Sequence, residues 1–218
     1  MTYFKIDENN EIYYEYIPPK EGGSTFVFVN ALTGNTSAWN GQIADFITSK
    51  NHGYLAYNFR GQINSKFDKN LVLDTDMIVA DLINLINYVN LSKVILVGLS
   101  IGGLYASMVV QMGVKADGLI LINTLRKPSQ RLKWINNAMV NAAKVGGPAL
   151  IMDMGMPVIA SPEFLKKMEE KALDPLNYKP LNDDDDIFKL MKGSLTADWA
   201  FDWSILKLPT LIMTGHFD

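Results

Sequence analysis

The 218-residue sequence has no cysteine. Disulfide bonds, thiolate nucleophiles and zinc-thiolate sites are therefore excluded, and we expect any side-chain nucleophile to be an oxygen. Histidine, the most common general base, is nearly absent as well, because only His52 and His216 occur. A catalytic site in this chain therefore has few residues from which to take a base.

The sequence also lacks a strong charge of either sign. The formal net charge is -3, from 20 basic and 23 acidic residues, and the basic residues are scattered along the chain. Proteins that bind nucleic acid usually gather Lys and Arg into a patch or stripe, so nucleic acid is not an expected partner. The N-terminus carries the acids Asp7 and Glu8 and has no basic start followed by an apolar stretch, so we expect a cytoplasmic location.

No long apolar run is uninterrupted. Residues 94–114 contain no charged residue and approach the length of a membrane span, but Gly98, Gly102 and Gly103 divide them. This pattern favours a buried strand that leads into a buried helix, and no membrane partner is expected. Glycine-rich phosphate-binding motifs are missing too, so no nucleotide cofactor is predicted.

Short apolar runs alternate with helical patterns in the first half of the chain. Two strands are expected to form a hairpin at 3–6 and 11–17. Buried strands are predicted at 25–29, 54–59, 94–97 and 118–122, and helices at 37–48, 74–89 and 101–112. The alternation predicts an α/β fold, with a mostly parallel sheet and helices on both faces.

The pattern changes between residues 126 and 207. Helical, methionine-rich segments are broken there at Gly146-Gly147-Pro148, Ser161-Pro162 and Asp174-Pro175, and no strand pattern is evident. A strand pattern returns at 209–214. We therefore predict a core at residues 1–125, a helical cap insertion at 126–207 and a return to the core at 208–218.

The sequence Gly98-Leu99-Ser100-Ile101-Gly102 has the form GxSxG and lies between a predicted strand and a predicted helix. A sharp turn in that setting strains the serine backbone and projects its hydroxyl, and the glycines let strand and helix approach closely. Unpaired N–H groups at the helix N-terminus favour negative charge there. Ser100 is the predicted nucleophile, although a strand-to-helix turn rich in small residues could give the same pattern without the chemistry.

Three segments together resemble the α/β-hydrolase family over nearly the whole chain. Residues 97–103 are similar to the family's nucleophile elbow, and residues 58–65 resemble its loop of the form DxRGxGxS. Residues 209–218 resemble the strand that leads to its catalytic acid. The resemblance implies an α/β-hydrolase fold with a Ser-His-acid triad.

The resemblance also implies roles for individual residues. Asp218 would be the triad acid, and the backbone N–H groups of Ile101 and Leu32 would form the oxyanion hole. Many relatives have His-Gly in the loop where this chain has Asn30. Backbone donors tolerate such a change, so the hole is still expected.

The general base remains unassigned. His52 precedes a predicted strand and is expected at the N-terminal edge of the sheet, whereas active sites lie beyond the carboxyl ends of such strands. His216 is in the turn that carries Asp218, where it can hardly stand between that acid and Ser100. The family places its histidine after the acid, so we expect the chain to be C-terminally incomplete, with the histidine after position 218.

Two other groups in the cap have a structural and a functional interpretation. The consecutive carboxylates of residues 183–186 have no metal-ligand spacing, so we expect a solvated loop or helix start and no metal. The cap methionines could line an adaptable acyl pocket or simply pack in a core. They are Met139, Met152, Met154, Met156, Met168 and Met191. Trp134, Trp199 and Trp203 allow the same two interpretations.

These features predict a serine hydrolase that cleaves carboxylic esters of small to medium acyl groups through an acyl-enzyme on Ser100, without a cofactor. A lactonase, thioesterase or acyltransferase would use the same site. A non-catalytic ligand-binding or regulatory module on the same fold is the alternative from another class, because fold does not fix function and the base is missing. The predicted partner is a small-molecule ester, and the oligomeric state is left open.

Overall fold

The computed structural model describes residues 2–125 and 127–216. Within those residues it has seven strands: β1 (Thr2–Lys5), β2 (Glu11–Ile17), β3 (Thr25–Val29), β4 (Gly53–Tyr57), β5 (Val94–Leu99), β6 (Gly118–Ile122) and β7 (Thr210–Met213). The α-helices there are α1 (Gln42–Ser49), α2 (Thr75–Val89), α3 (Ile101–Gln111), α4 (Gln130–Ile159), α5 (Pro162–Met168) and α6 (Asp186–Ser194). None of the helices in these two ranges is long and apolar enough to cross a membrane.

The strands form one sheet in the order β1-β2-β4-β3-β5-β6-β7. β1 pairs antiparallel with β2, as the hairpin prediction requires, and β2 pairs antiparallel with β4. All the pairs from β4 to β7 are parallel. The predicted α/β fold with a mostly parallel sheet is therefore confirmed, and β5 lies inside the sheet between β3 and β6.

Burial of apolar side chains on both faces explains the sheet. Every residue of β4 is buried, which fits a strand covered by helices on both sides. α2 contributes one apolar face through Ile78, Leu82 and Leu85, none of which is more than 1% exposed. The Asp74 side chain caps that helix by accepting a hydrogen bond from the Met77 N–H at 3.0 Å.

Two predicted boundaries differ from the structure for local reasons. The helix predicted at 37–48 begins at Gln42, because Gly41 has a positive φ of 66° and residues 36–38 form a separate 3₁₀ turn capped by Asn35. The strand predicted at 54–59 ends at Tyr57, because the next residue turns into a loop. There the Asn58 side chain accepts a hydrogen bond from the Thr36 N–H at 2.8 Å.

A helical insertion separates β6 from β7. α4 is kinked at Gly147, where the non-helical φ of 64° and ψ of -155° separate two helical segments at the Gly-Gly-Pro sequence. A Cβ atom on Gly147 would collide with the carbonyl oxygen of Lys179, so a glycine is needed both for the dihedral angles and for the close contact. The insertion returns through α6, whose Gly193 lies directly against the backbone of Leu73 in the core.

Candidate active site

Ser100 is the single residue between β5 and α3. Its φ of 55° and ψ of -123° lie outside both strand and helix regions, in a conformation that is strained for a residue with a side chain. Backbone hydrogen bonds hold this conformation, because the Ser100 N–H donates to the Ile122 carbonyl at 2.8 Å and the Ser100 carbonyl accepts from the Gly103 N–H at 3.0 Å. Ser100 is exposed to solvent although its neighbours in the chain are largely buried. The sharp bend expected from the GxSxG pattern is present.

Glycines allow the tight junction of strand and helix. A Cβ atom on Gly98 would collide with the backbone of Gly103, and one on Gly102 would collide with the carbonyl oxygens of Val29 and Asn30. The absence of a side chain at Gly102 therefore lets the start of α3 lie directly against the end of β3. This contact places the residue after Ser100 beside the loop that follows β3.

The two predicted oxyanion donors lie on those two neighbouring segments. Ile101 is the first residue of α3, and Leu32 lies in the loop that follows β3. Within the two described ranges, neither backbone N–H is engaged in a hydrogen bond. The unpaired N–H groups at the start of an eleven-residue helix also carry the positive end of its dipole. The region beside Ser100 can therefore stabilise a negative charge on an oxygen.

Asn30, which stands where many family members have histidine, is a core residue. It is 1% exposed, and its Oδ1 accepts a hydrogen bond from Trp39 Nε1 at 2.6 Å. Its Nδ2 donates to the Tyr57 carbonyl at 2.7 Å and to Gln62 Oε1 at 2.9 Å. The side chain of Asn30 is therefore bound to core partners and is not available to donate a hydrogen bond to an oxyanion. Sequence reasoning missed these contacts.

The loop at 58–65, which resembles the DxRGxGxS motif, joins strands to helices through buried polar contacts. Arg60 binds Asp81 of α2 through two hydrogen bonds of 2.8 Å. Burial raises the pKa of the Asp81 carboxyl above its usual range, although the hydrogen bonds and charge of Arg60 act to lower it. Ser65 Oγ donates to the Asn58 carbonyl at 2.8 Å and accepts from the Tyr13 N–H. These contacts are structural and do not involve Ser100.

Of the two histidines, His52 lies at the opposite end of the strands from Ser100. His52 lies just before β4, where its Nδ1 accepts a hydrogen bond from the Ser24 N–H at 3.1 Å. It is therefore at the N-terminal end of the strands, as expected. His216 is exposed in the turn after β7. Asp218 lies outside the described residues, so its assignment as the triad acid stays a prediction.

The helical insertion contacts the loop that carries Leu32. Ala143 of α4 and two residues of α6, Phe188 and Met191, form a small buried apolar cluster. The half-buried Leu32 side chain packs against this cluster and also against the main core. The base of the insertion therefore lies over one of the two predicted donors.

Two cavities formed by the described residues lie away from Ser100, which lines neither of them. One of about 630 Å³ is formed only by residues between 149 and 177, including Met152, Met156 and Met168. The other, of about 530 Å³, lies between Lys127 and the segment 199–204, which supplies Trp199 and Trp203. The remaining candidate methionines differ in setting, because Met139 and Met191 pack in the cluster beside Leu32 and Met154 is exposed.

The acidic run at 183–186 is paired with lysines. Asp183 contacts Lys144 and Lys192 at 3.2 and 3.7 Å, and the contact with Lys144 lowers the pKa of its carboxyl. Asp186 forms an ion pair with Lys69. In residues 2–125 and 127–216, no group of three or more His, Asp or Glu side chains is placed to hold a metal ion. The acids fix the start of α6 by contacts with basic side chains.

Solved structures with the same fold extend over almost the whole chain. An α/β-hydrolase enzyme from a Medee basin deep-sea metagenome library has a TM-score of 0.82 at 25% identity, covering 100% of this chain and 80% of the other. An esterase from Exiguobacterium antarcticum has a TM-score of 0.77 at 18% identity, covering 100% and 81%. The enol-lactonase from Burkholderia xenovorans also has a TM-score of 0.77, at 19% identity, covering 99% and 81%.

Sequence comparison points to the same family. No curated protein sequence is significantly similar to the chain. The sequence model of the alpha/beta hydrolase family, however, matches residues 26–214, which run from β3 to the end of β7. The matched range includes the strained serine, the loop with Leu32 and the Arg60 loop. This chain therefore belongs to the α/β-hydrolase family.

Proposed function

We propose that this chain is a serine hydrolase that cleaves small-molecule carboxylic esters of small to medium acyl groups through an acyl-enzyme on Ser100. The observation that carries the proposal is the strained, exposed serine at the junction of β5 and α3. A serine hydroxyl held in this way can attack a carbonyl carbon. The esterase and the enol-lactonase that share the fold make acyl transfer the favoured reaction class.

The reaction proceeds in two halves. In the first, Ser100 Oγ forms a bond to the acyl carbon, its proton passes to a base, and the carbonyl oxygen becomes an oxyanion that accepts hydrogen bonds from the N–H groups of Ile101 and Leu32. The carbon–oxygen bond to the alcohol then breaks, and the alcohol takes up the proton. In the second half, water attacks the acyl carbon and gives a proton to the base, the bond from that carbon to Ser100 Oγ breaks, and Ser100 Oγ takes the proton back as the acid is released.

The base and the acid of the triad remain predictions. Among the described residues His52 is at the wrong end of the sheet and His216 is in the turn after β7, so neither is assigned to proton transfer. The expected acid Asp218 is tested together with Ser100 in the same assays.

Labelling with a fluorophosphonate probe and turnover of p-nitrophenyl esters test the proposal. In the full-length protein, Ser100→Ala is expected to abolish labelling and to lower kcat by at least about a thousandfold, the usual result of removing a nucleophile. Ser107→Ala is the matched control, because Ser107 lies on the same helix but is buried and donates to the Gly103 carbonyl at 2.7 Å. It is expected to keep wild-type labelling.

The outcomes separate hydrolase from binding module. Turnover that survives Ser100→Ala contradicts the nucleophile. Failure of the unsubstituted protein to be labelled or to turn over any ester supports a non-catalytic module on the hydrolase fold instead. A series from acetate to octanoate esters tests the acyl length, because a small to medium pocket should give a maximum kcat/KM below the octanoate ester.

A further inference from the structure

A buried amide, Gln62, supports the loop that carries Leu32. Gln62 is 3% exposed, and its Nε2 donates hydrogen bonds to the carbonyl oxygens of Ala31 at 2.9 Å and Leu32 at 3.0 Å. Both protons of the amide are therefore used on two successive carbonyls of this loop. The Gly34 N–H donates to the Ala31 carbonyl as well, at 3.0 Å. The loop is held by hydrogen bonds to its backbone.

Because the peptide bond is planar, these contacts also fix the direction in which the Leu32 N–H points. The Ala31 carbonyl and the Leu32 N–H belong to one peptide unit, and in a trans unit they point to opposite sides. No cis peptide occurs in the described residues. Because Gln62 holds the Ala31 oxygen on the core side, the Leu32 N–H must point away from Gln62. It is left without a hydrogen-bond partner among the described residues, as an oxyanion donor requires.

The orientation of the Gln62 amide is itself fixed by N–H groups that can donate a hydrogen bond but cannot accept one. Gln62 Oε1 accepts from the Phe59 N–H at 2.9 Å, so Nε2 must face the loop. Gln62 Oε1 also accepts from Asn30 Nδ2, and Asn30 Oδ1 accepts from the indole of Trp39. An indole N–H only donates, so it dictates which end of Asn30 faces Gln62. A chain of hydrogen bonds thus runs from Trp39 through Asn30 and Gln62 to the loop.

We propose that Gln62 is a positioning residue of the oxyanion hole, which aims the Leu32 N–H by holding the Ala31 and Leu32 carbonyls. This inference rests on the proposed function, because it assumes that the Leu32 N–H meets an oxyanion. Gln62 itself touches no reacting atom. Its effect is on the placement of a donor, and a donor displaced by about 1 Å costs on the order of a hundredfold in rate.

Gln62→Glu is the sharpest test. A glutamate keeps an oxygen to accept from the Phe59 and Asn30 N–H groups but loses both donors to the loop. In the full-length protein we expect kcat for p-nitrophenyl butyrate to fall by roughly 10- to 100-fold. KM should change by less than about threefold, because the loss is confined to the transition state. Inhibition by a trifluoromethyl ketone, which forms an oxyanion on the serine, should weaken by a similar factor.

Ser65→Ala is the matched control for a purely structural effect. Ser65 belongs to the same loop as Gln62 and is 4% exposed, and its hydroxyl bonds the backbone of Tyr13 and Asn58 but, among the described residues, makes no hydrogen bond to residues 30–34. It is expected to lower the melting temperature while kcat stays within about twofold of wild type, since its lost hydrogen bonds affect stability alone. If Gln62→Glu does not fold, Gln62→Met is compared with Ser65→Ala in the same assays.

The results distinguish this inference from the proposed function. If Ser100→Ala is inactive and Gln62→Glu keeps wild-type kcat, the positioning role is wrong and the hydrolase proposal stands. If Ser65→Ala lowers kcat as much as Gln62→Glu, the effect is general destabilisation and the positioning role is again wrong. If Ser100→Ala keeps full activity, the site proposal fails, and the role of Gln62 fails with it.

Discussion

The central sheet and the distal part of the helical insertion are built in different ways. Residues of the sheet such as Val27 and Leu96 are fully buried, and Ser100 is fixed by backbone hydrogen bonds to Ile122 of β6 and Gly103 of α3. In the insertion beyond Gly147, α5 has no buried residue, and Leu173 and Leu176 are 71% and 86% exposed. The Ser100 hydroxyl is therefore held by the densely packed part of the molecule. The cavity between 149 and 177 belongs to the part with the weakest packing.

Removing the buried cation of the core should have the largest effect on stability. Arg60→Met leaves the Asp81 carboxylate buried without its partner, which typically costs about 3–5 kcal/mol at neutral pH. Without the guanidinium, burial raises the folded-state pKa of Asp81 further above its unfolded value. The loss of stability caused by Arg60→Met should therefore grow as pH rises from the unfolded-state pKa of Asp81 through its folded-state pKa, and it should shrink as pH falls below both values. Urea unfolding at pH 5 and pH 8 measures this change.

Lys66→Met is the control for the Arg60 prediction. Lys66 pairs with Glu11 at 2.9 Å, but its side chain is 75% exposed. An exposed ion pair contributes at most about 1 kcal/mol. If Arg60→Met and Lys66→Met lower the free energy of unfolding equally, the buried Arg60–Asp81 pair does not hold the core together.

Substitution at the kink of α4 should have an intermediate effect. Gly147→Ala forces a side chain into a conformation that favours glycine and against the Lys179 carbonyl, at a cost of about 2–3 kcal/mol. Because the kink is in the insertion, the damage should be local. Limited proteolysis is expected to accelerate within residues 149–177 while the sheet remains resistant.

Gly155→Ala provides the comparison within the same helix. Gly155 has ordinary helical surroundings, and a Cβ atom there would meet only Met139 at 3.8 Å. Alanine should stabilise the helix by up to about 1 kcal/mol. If Gly147→Ala is equally harmless in thermal melts and proteolysis, the kink is not needed for the fold of the insertion.

Truncating a cavity-lining methionine should have the smallest effect. Met152 is 45% exposed, so Met152→Ala is expected to cost less than about 1 kcal/mol, because few apolar contacts are lost. Leu96→Ala in β5 should cost about 2–5 kcal/mol in the same denaturant titration. If Met152→Ala lowers the free energy of unfolding as much as Leu96→Ala does, the insertion is packed as tightly as the sheet.

Periodicity made the sheet and the serine predictable. The β-branched run of β5 can only be a buried strand next to the glycines that follow, and the bend at Ser100 follows from GxSxG in that setting. The sequence gives no comparable signal for the contact of Gln62 with Ala31, because 31 residues separate them and an amide fits many environments. Trp39 and Asn30 were missed for the same reason. The break indicated by Gly146-Gly147-Pro148 is present, because Gly147 has non-helical dihedral angles between two helical segments.

The bend at Gly147 has a consequence for how this protein can diversify. The amino acids in the half of α4 before Gly147 are constrained by their contacts with α6 and with Leu32. Residues 149–177, which lie beyond the bend and line the 630 Å³ cavity, share few neighbours with the sheet. Amino acid changes among them can therefore alter the shape and polarity of the cavity without disturbing Ser100. A pair of unusual dihedral angles thus separates sequence positions that are free to vary from those that are constrained.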